Sequence, residues 1–421
     1  MKRSLLWITC VSAIFALIIM LVGCLCEQPQ QSANPSLNKK PARVAQVVQT
    51  GSAVTVKSAS DWAEKYPDIY ASYMSNADNS MQDDYVKKYP MIATLYEGIA
   101  FNKFYSSARG HVYSVKDLNA TGRPHPLANC FACKTPNFHA IANEIGPEAY
   151  KIPYNDLADK ITEPVSCFTC HANEPGNLII THTYLADALA NDLKSLDPAI
   201  LACGQCHVEY YFDPETRVVT LPYTSLSTMT PDSILKYYNN LMVKGEPFAD
   251  YVNPRSGVRQ IKIQHPEFET YLGEGGIHSN TYKCADCHMS TAVNAKGQNY
   301  INHRWMSPLD NAKLLKDNCS ACHKDLAADV HKKQDLVKSR TKKIGTDLAE
   351  LMEELVLAVK SEKHSKEKLD AIRMVFRNAQ FYWDFVFVEN SNGAHNTKLT
   401  HDCLNKSEQL LNEAKSLLKK L

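Results

Sequence analysis

The chain has almost no net charge: 46 Lys and Arg stand against 45 Asp and Glu over 421 residues, a balance of +1. That balance lacks the basic footprint of a nucleic-acid-binding protein. Long apolar runs are missing beyond the first 26 residues, so a chain that is 44% hydrophobic reads as globular and not as a membrane bundle. Strand-like alternation is scarce between residues 100 and 325. Unpaired cysteine is scarce too. Only Cys10, Cys24, Cys26 and Cys403 fall outside C-x-x-C spacing, too few for a disulfide framework.

The other ten cysteines carry the chemistry. Cys167/Cys170/His171, Cys203/Cys206/His207, Cys284/Cys287/His288 and Cys319/Cys322/His323 each read C-x-x-C-H, the attachment signature of c-type haem. Zinc ribbons do not require a histidine after every second cysteine. The fifth pair, in NCFACKTPNF, puts Lys134 after Cys130 and Cys133. A lysine ammonium cannot bind iron, so Lys134 ligates only through a deprotonated nitrogen. It also lacks the second ring nitrogen through which a histidine ligand is tuned. Five haems would add about ten propionate charges and make the loaded protein acidic.

The chain opens MKRSLLWITCVSAIFALIIMLVGCLC, two basic residues before an uncharged run, as in an export signal. LVGC at 21–24 resembles a lipobox, which would make Cys24 an acylated first residue; an uncleaved signal anchor is the other reading. Both place the body outside the cytoplasm, where c-type haem is attached. Residues 27–60, rich in Gln, Ser, Pro and Lys, read as a flexible tether. The body, 61–421, is expected to be mainly α. Short, proline-broken helices should wrap haem over about 100–325, and apolar spacing of three and four predicts helices over 334–362, 366–390 and 402–420. Such helices suit a dimer seam or a self-contained cap equally well.

Fifteen histidines are present, and four follow C-x-x-C pairs; spacing cannot choose distal ligands among the other eleven. The order of one C-x-x-C-K and four C-x-x-C-H motifs resembles the ammonia-forming pentahaem cytochrome c nitrite reductases. ARGHVYSVKD (108–117), CGQCHVEYYF (203–212), KIQHPEFET (262–270) and GIHSNTYKCADCHM (276–289) resemble family segments in family order. The resemblance implies a multihaem cytochrome c fold and distal ligands His111 opposite His207, His303 opposite His171, His395 opposite His288, and His278 opposite His323. It leaves one face of the Lys134 haem open. It also implies a pocket of Arg123, Tyr210 and His265, with Arg109 as the alternative arginine. A calcium ion would be held by Glu209 and Gln264 side chains and the Tyr210 and Lys262 carbonyls, oxygen donors suited to a hard cation.

The function implied is six-electron reduction of nitrite to ammonium at the Lys134 haem, fed by four bis-histidine haems. A membrane multihaem quinol dehydrogenase is the implied electron donor, and a homodimer the implied assembly. Two alternatives stand on the sequence: an electron-transfer cytochrome with no substrate of its own, and a reductase of hydroxylamine or sulfite.

Overall fold

The computed structural model describes residues 45–48, 51 and 54–421. The expected export segment, 1–26, lies outside the described residues, as does most of the tether. The rest of the tether is joined to the body. Gln46–Val47 pairs in parallel with Ile179–Ile180, Lys57 N–H donates to Asn173 Oδ1 at 3.2 Å, and Ser58 Oγ donates to Glu163 Oε1 at 2.6 Å. Backbone groups and small polar side chains supply these contacts, which a count of large apolar residues misses.

The fold is mainly helical. Its strands are two- and three-residue ladders, and the longest hairpin, Thr291–Val293 with Asn299–Ile301, leads directly to His303. Through the motif-bearing part the helices are short, and the helices Pro136–Ile145, Pro198–Gly204 and Pro231–Asn240 begin at proline. Proline fits the first helical turn, where its missing N–H is no loss. Thr135, Asp197 and Thr230 cap these three starts through their side-chain oxygens.

Three long helices close the chain: Leu326–Lys360, Lys366–Phe387 and Thr397–Leu418. The first starts eight residues before the expected 334. Its opening turns (LAADVHKK) carry no apolar stripe, and its buried face starts only at Val337. The cap on Asp325, which accepts from Ala328 N–H at 3.0 Å, and good helix formers hold it there. The second helix stops at Phe387, short of 390, where Asn392 and Gly393 turn the chain with positive φ. The third starts at Thr397 because Asn396 caps it. At their centre Trp383, fully buried, donates from Nε1 to the Thr341 carbonyl at 2.8 Å and stacks on Phe387. Gly345 makes room for it: a Cβ there would meet the indole at 2.9 Å. Among the described residues no helix is long and apolar enough to cross a membrane.

Candidate active site

Four of the five cysteine pairs sit on helical turns. Cys167–His171 and Cys284–His288 are α-helical, and the amides of His207 and His323 bond back to the carbonyls of Cys203 and Cys319 at 3.0 and 2.9 Å. The Lys134 turn differs. Cys133 takes φ 62°, and Lys134 N–H bonds to the Phe131 carbonyl at 3.0 Å, one residue tighter. A left-handed φ on a non-glycine residue costs energy and persists only where the surroundings fix it. Here Ser114 Oγ holds the Lys134 carbonyl at 2.7 Å, and Thr135 starts the next helix at once.

One motif cysteine has a different setting from the rest. Nine of the ten motif cysteines are partly buried, whereas Cys322 is exposed. The physical reason is its surroundings: Ser320, Ala321, Lys324 and Asp325 are exposed as well. The helix that follows buries no side chain before Val337, so nothing packs over Cys322 from that side. Its thiol still holds the C-x-x-C-H spacing, and the Cys322 amide bonds to the Cys319 carbonyl at 3.1 Å within the same turn.

The histidines come together in pairs. His171 and His303 have ring centres 6.2 Å apart, His278 and His323 6.2 Å, His111 and His207 6.1 Å, and His288 and His395 6.1 Å. One metal ion between two imidazoles, with bonds of about 2.0 Å, sets ring centres roughly 6 Å apart. In four of these eight rings Nδ1 is already engaged. The partners of His171, His288 and His303 are the carbonyls of Asn177, Met306 and Ile301, each at 2.9 Å. That of His395 is Glu389 at 2.7 Å. Each such bond fixes the tautomer and leaves Nε2 for a metal. His207 has a second neighbour, His265, also at 6.1 Å. Glu267 Oε2 stands 3.6 Å from His207 Nδ1.

The cysteines show how the motifs adjoin. Cys133 and Cys206 sulfurs and His182 cluster within 4.8 Å, Cys203 faces Cys284, and Cys287 lies near Cys319. The first motif therefore touches the third, the third the fourth, and the fourth the fifth. Cys170 reaches the Ala202 carbonyl, which sets the second motif beside the third.

Around the Lys134 turn stand the three pocket candidates. Arg123 lies with its guanidinium 4.3 Å over the Phe101 ring, and Cys130, Tyr105 and Tyr210 are close enough to act on its charge. Arg109, the alternative, is committed to Asp117, with Nε at 3.0 Å and Nη2 at 2.6 Å from Oδ1. Burial raises the Tyr210 hydroxyl well above its ordinary value, so it stays an O–H donor. Burial pushes His265 down to about 4, and its buried Nδ1 has no hydrogen-bond partner. The ring is therefore neutral at pH 7, with an uncommitted nitrogen.

The C-terminal helices reach into this pocket. Asp384, on Lys366–Phe387, is fully buried and meets the Lys262 ammonium at 3.2 Å. It accepts from Ile263 N–H at 3.0 Å and from Tyr96 O–H. A buried ion pair is weak evidence of net stability, but these bonds fix the 262–265 backbone and hence His265. The expected calcium residues share the segment. Glu209 accepts from Gln264 N–H at 2.7 Å and Tyr238 O–H at 2.8 Å, and the Gln264 amide lies 2.9 Å from the Lys262 carbonyl. Turning that amide would set two oxygens side by side. Burial raises the Glu209 carboxyl well above its ordinary range, Glu269 to about 8 and Asp250 to about 6. Buried acids short of counter-charge, beside carbonyl and amide oxygens, fit a hard cation.

Sequence reasoning missed several residues. Asp384, Glu267 and Glu389 act by hydrogen bonds across the fold, and no spacing announced them. His139 and His182 are buried with ring centres 3.3 Å apart. They stand beside Cys133 and Cys206 without belonging to any motif.

A mainly helical chain whose cysteine pairs adjoin one another, with imidazoles facing across metal-sized gaps, is a multihaem c-type cytochrome. The profile of the family described as Cytochrome c552 matches residues 58–421. A curated relative, cytochrome c nitrite reductase subunit NrfA of Nitratidesulfovibrio vulgaris, is 31% identical over 406 aligned residues, covering 83% of this chain and 76% of its own. Cytochrome c-552 of Parabacteroides distasonis is 28% identical, covering 86% and 76%. The solved cytochrome c nitrite reductase of Desulfovibrio desulfuricans, described with two calcium sites, superposes with a TM-score of 0.78 at 27% identity, covering 86% of each chain. The chain belongs to the cytochrome c552 family, the oxidoreductases that include the cytochrome c nitrite reductases, and its cofactor is c-type haem.

Proposed function

We propose that this chain reduces nitrite to ammonium at a haem carried by Cys130, Cys133 and Lys134. The observation that carries the reading is an asymmetry. Each C-x-x-C-H histidine has the imidazole proposed as its distal partner about 6 Å away, whereas the Lys134 turn is surrounded by Arg123, Tyr210 and His265. Four haems on Cys167/Cys170, Cys203/Cys206, Cys284/Cys287 and Cys319/Cys322 are then closed to substrate by His171–His303, His207–His111, His288–His395 and His323–His278. The fifth keeps one face open.

The reaction takes one nitrite, six electrons and eight protons to ammonium and two waters. When bound, the haem supplies the electrons and the site at which nitrite is held. The protein supplies charge and protons. Arg123 faces an anion with a fixed positive charge and several donors. His265, neutral with a free nitrogen, passes protons toward the leaving oxygens, and the Tyr210 O–H hydrogen-bonds the reacting group. Glu209, Tyr210, Lys262 and Gln264 hold calcium, which offsets the buried acids and keeps Tyr210 and His265 in register.

The export pattern of the first 26 residues supports a place outside the cytoplasm, tethered through Cys24 or an uncleaved N-terminal segment. There the protein takes electrons from a membrane multihaem quinol dehydrogenase. Exposed Leu336 and Leu357 on the first long helix offer apolar contacts for a homodimer. An anaerobic assay with reduced viologen, following nitrite loss and ammonium gain, tests the activity. A five-haem preparation with no turnover would overturn it, and no nitrite-induced change in a high-spin haem signal would mark an electron carrier instead. Running hydroxylamine and sulfite alongside ranks the substrates.

A further inference from the structure

Two of the paired histidines are backed by carboxylates, and one short turn connects them. Glu389, 3% exposed, accepts from His395 Nδ1 at 2.7 Å, while its other oxygen accepts from Ser391 Oγ at 2.7 Å. Ser391 Oγ in turn accepts from the His395 amide at 3.0 Å. Glu267, 7% exposed, stands 3.6 Å from His207 Nδ1. Its Oε1 accepts from the Asn390 amide at 3.3 Å and from the Asn390 side chain. Residues 389–391 thus touch His395 of the fourth motif directly and reach His207 of the third through Glu267; Cys203 and Cys284 of these two motifs face each other. The other bonded Nδ1 atoms, on His171, His288 and His303, meet only backbone carbonyls.

We infer that Glu389–Asn390–Ser391, with Glu267, is a redox-setting bridge that makes the haems of the third and fourth motifs the low-potential pair of the chain. The inference rests on the axial assignments proposed above. A carboxylate that accepts the Nδ1 proton, as Glu389 does, gives the imidazole more electron density to donate through Nε2 than a neutral carbonyl does, which favours the oxidised metal; Glu267, 3.6 Å from His207 Nδ1 with its Oε2 otherwise unpartnered, acts through its charge. The carboxylate's own charge acts in the same sense, since both acids are buried and weakly screened. Electrons on this pair are therefore biased to leave it, and the third motif is the one that touches the Lys134 turn. Glu389 and Glu267 are positioning residues: they act through the ligands and touch no substrate.

Potentiometric titration of the five-haem protein, followed by electron paramagnetic resonance, tests this. Glu389→Gln is expected to raise the midpoint of one low-spin haem and shift its g-values, leaving the others in place. Glu267→Gln should raise a different one. Unchanged midpoints with five haems retained overturn the inference. If Glu389→Gln fails to assemble, Ser391→Ala decides. Freed of its hydroxyl partner, the carboxylate binds Nδ1–H more strongly and the same midpoint falls; no change, or a rise, overturns the bridge. His395→Met separates the two readings. An unaltered low-spin spectrum would mean that His395 is no ligand, whereas an altered one beside a silent Glu389→Gln would reject the bridge alone.

Discussion

The motif-bearing part, about 100–325, and the three C-terminal helices are stabilised by different means. The helices are ordinary protein: long, capped, and closed on Trp383, Phe376, Leu348 and Leu404, all fully buried. The motif-bearing part has short helices, two-residue ladders and buried histidines with a nitrogen to spare. Its interior is arranged for large apolar cofactors, so its side chains are chosen for ligation and proton handling as much as for packing. The two parts meet at Asp384, where a helix of the second fixes the backbone that carries His265 in the first. The difference teaches that substitutions in one part should alter chemistry and in the other stability, with Asp384 able to alter both.

The largest expected break comes in the pocket. His265→Ala should retain five haems by mass and lose about 10²–10⁴-fold in nitrite turnover, the usual share of a positioned acid–base group. Unchanged turnover would remove His265 from proton delivery. Lys134→His should keep haem on Cys130 and Cys133 yet lower turnover by roughly tenfold or more, because a second-nitrogen ligand is tuned differently. The haem spectrum and the assay together read this out.

Acid should separate the two parts. Burial pushes His139 down to about 3, so between its ordinary value and that one the unfolded chain binds a proton that the folded chain refuses. Its contribution to stability is full above about pH 6.5 and falls as pH drops. By pH 4.5 the loss is about 2–3 kcal/mol. His139→Leu should flatten the acid limb of guanidinium unfolding curves; an unchanged limb would mean that the pair with His182 titrates normally. The smallest effect sharpens the comparison from the other side. Gly345→Ala pushes a methyl into Trp383 and should cost about 1–3 kcal/mol. It should lower the unfolding midpoint while haem count and turnover stay as they were.

Much of this was legible in the chain itself. The ten cysteines, the four following histidines and Lys134 are covalent-scale signals, adjacent in sequence because attachment needs them adjacent. The C-terminal helices were legible from apolar spacing, and their bounds shifted only where caps on Asp325 and Asn396, and not periodicity, decide the ends. What no spacing could give is which imidazole faces which, or that Cys322 alone of the ten lies exposed. His303 lies 15 residues after His288 in sequence, yet its ring faces His171 at 6.2 Å. His395 comes to His288 from the far side of two long helices.

The sequence by itself determined what is chemically local: where the C-x-x-C pairs lie, that one of them is followed by lysine and four by histidine, and which segments are helical. Tertiary structure alone decided the ring pairs, the commitment of Arg109 to Asp117 that leaves Arg123 beside the pocket, and the carboxylates behind His207 and His395. The reason is that a ligand pair, an ion pair or a hydrogen bond is a condition on distance in space, and residues far apart along the chain satisfy it only through the fold that brings them together.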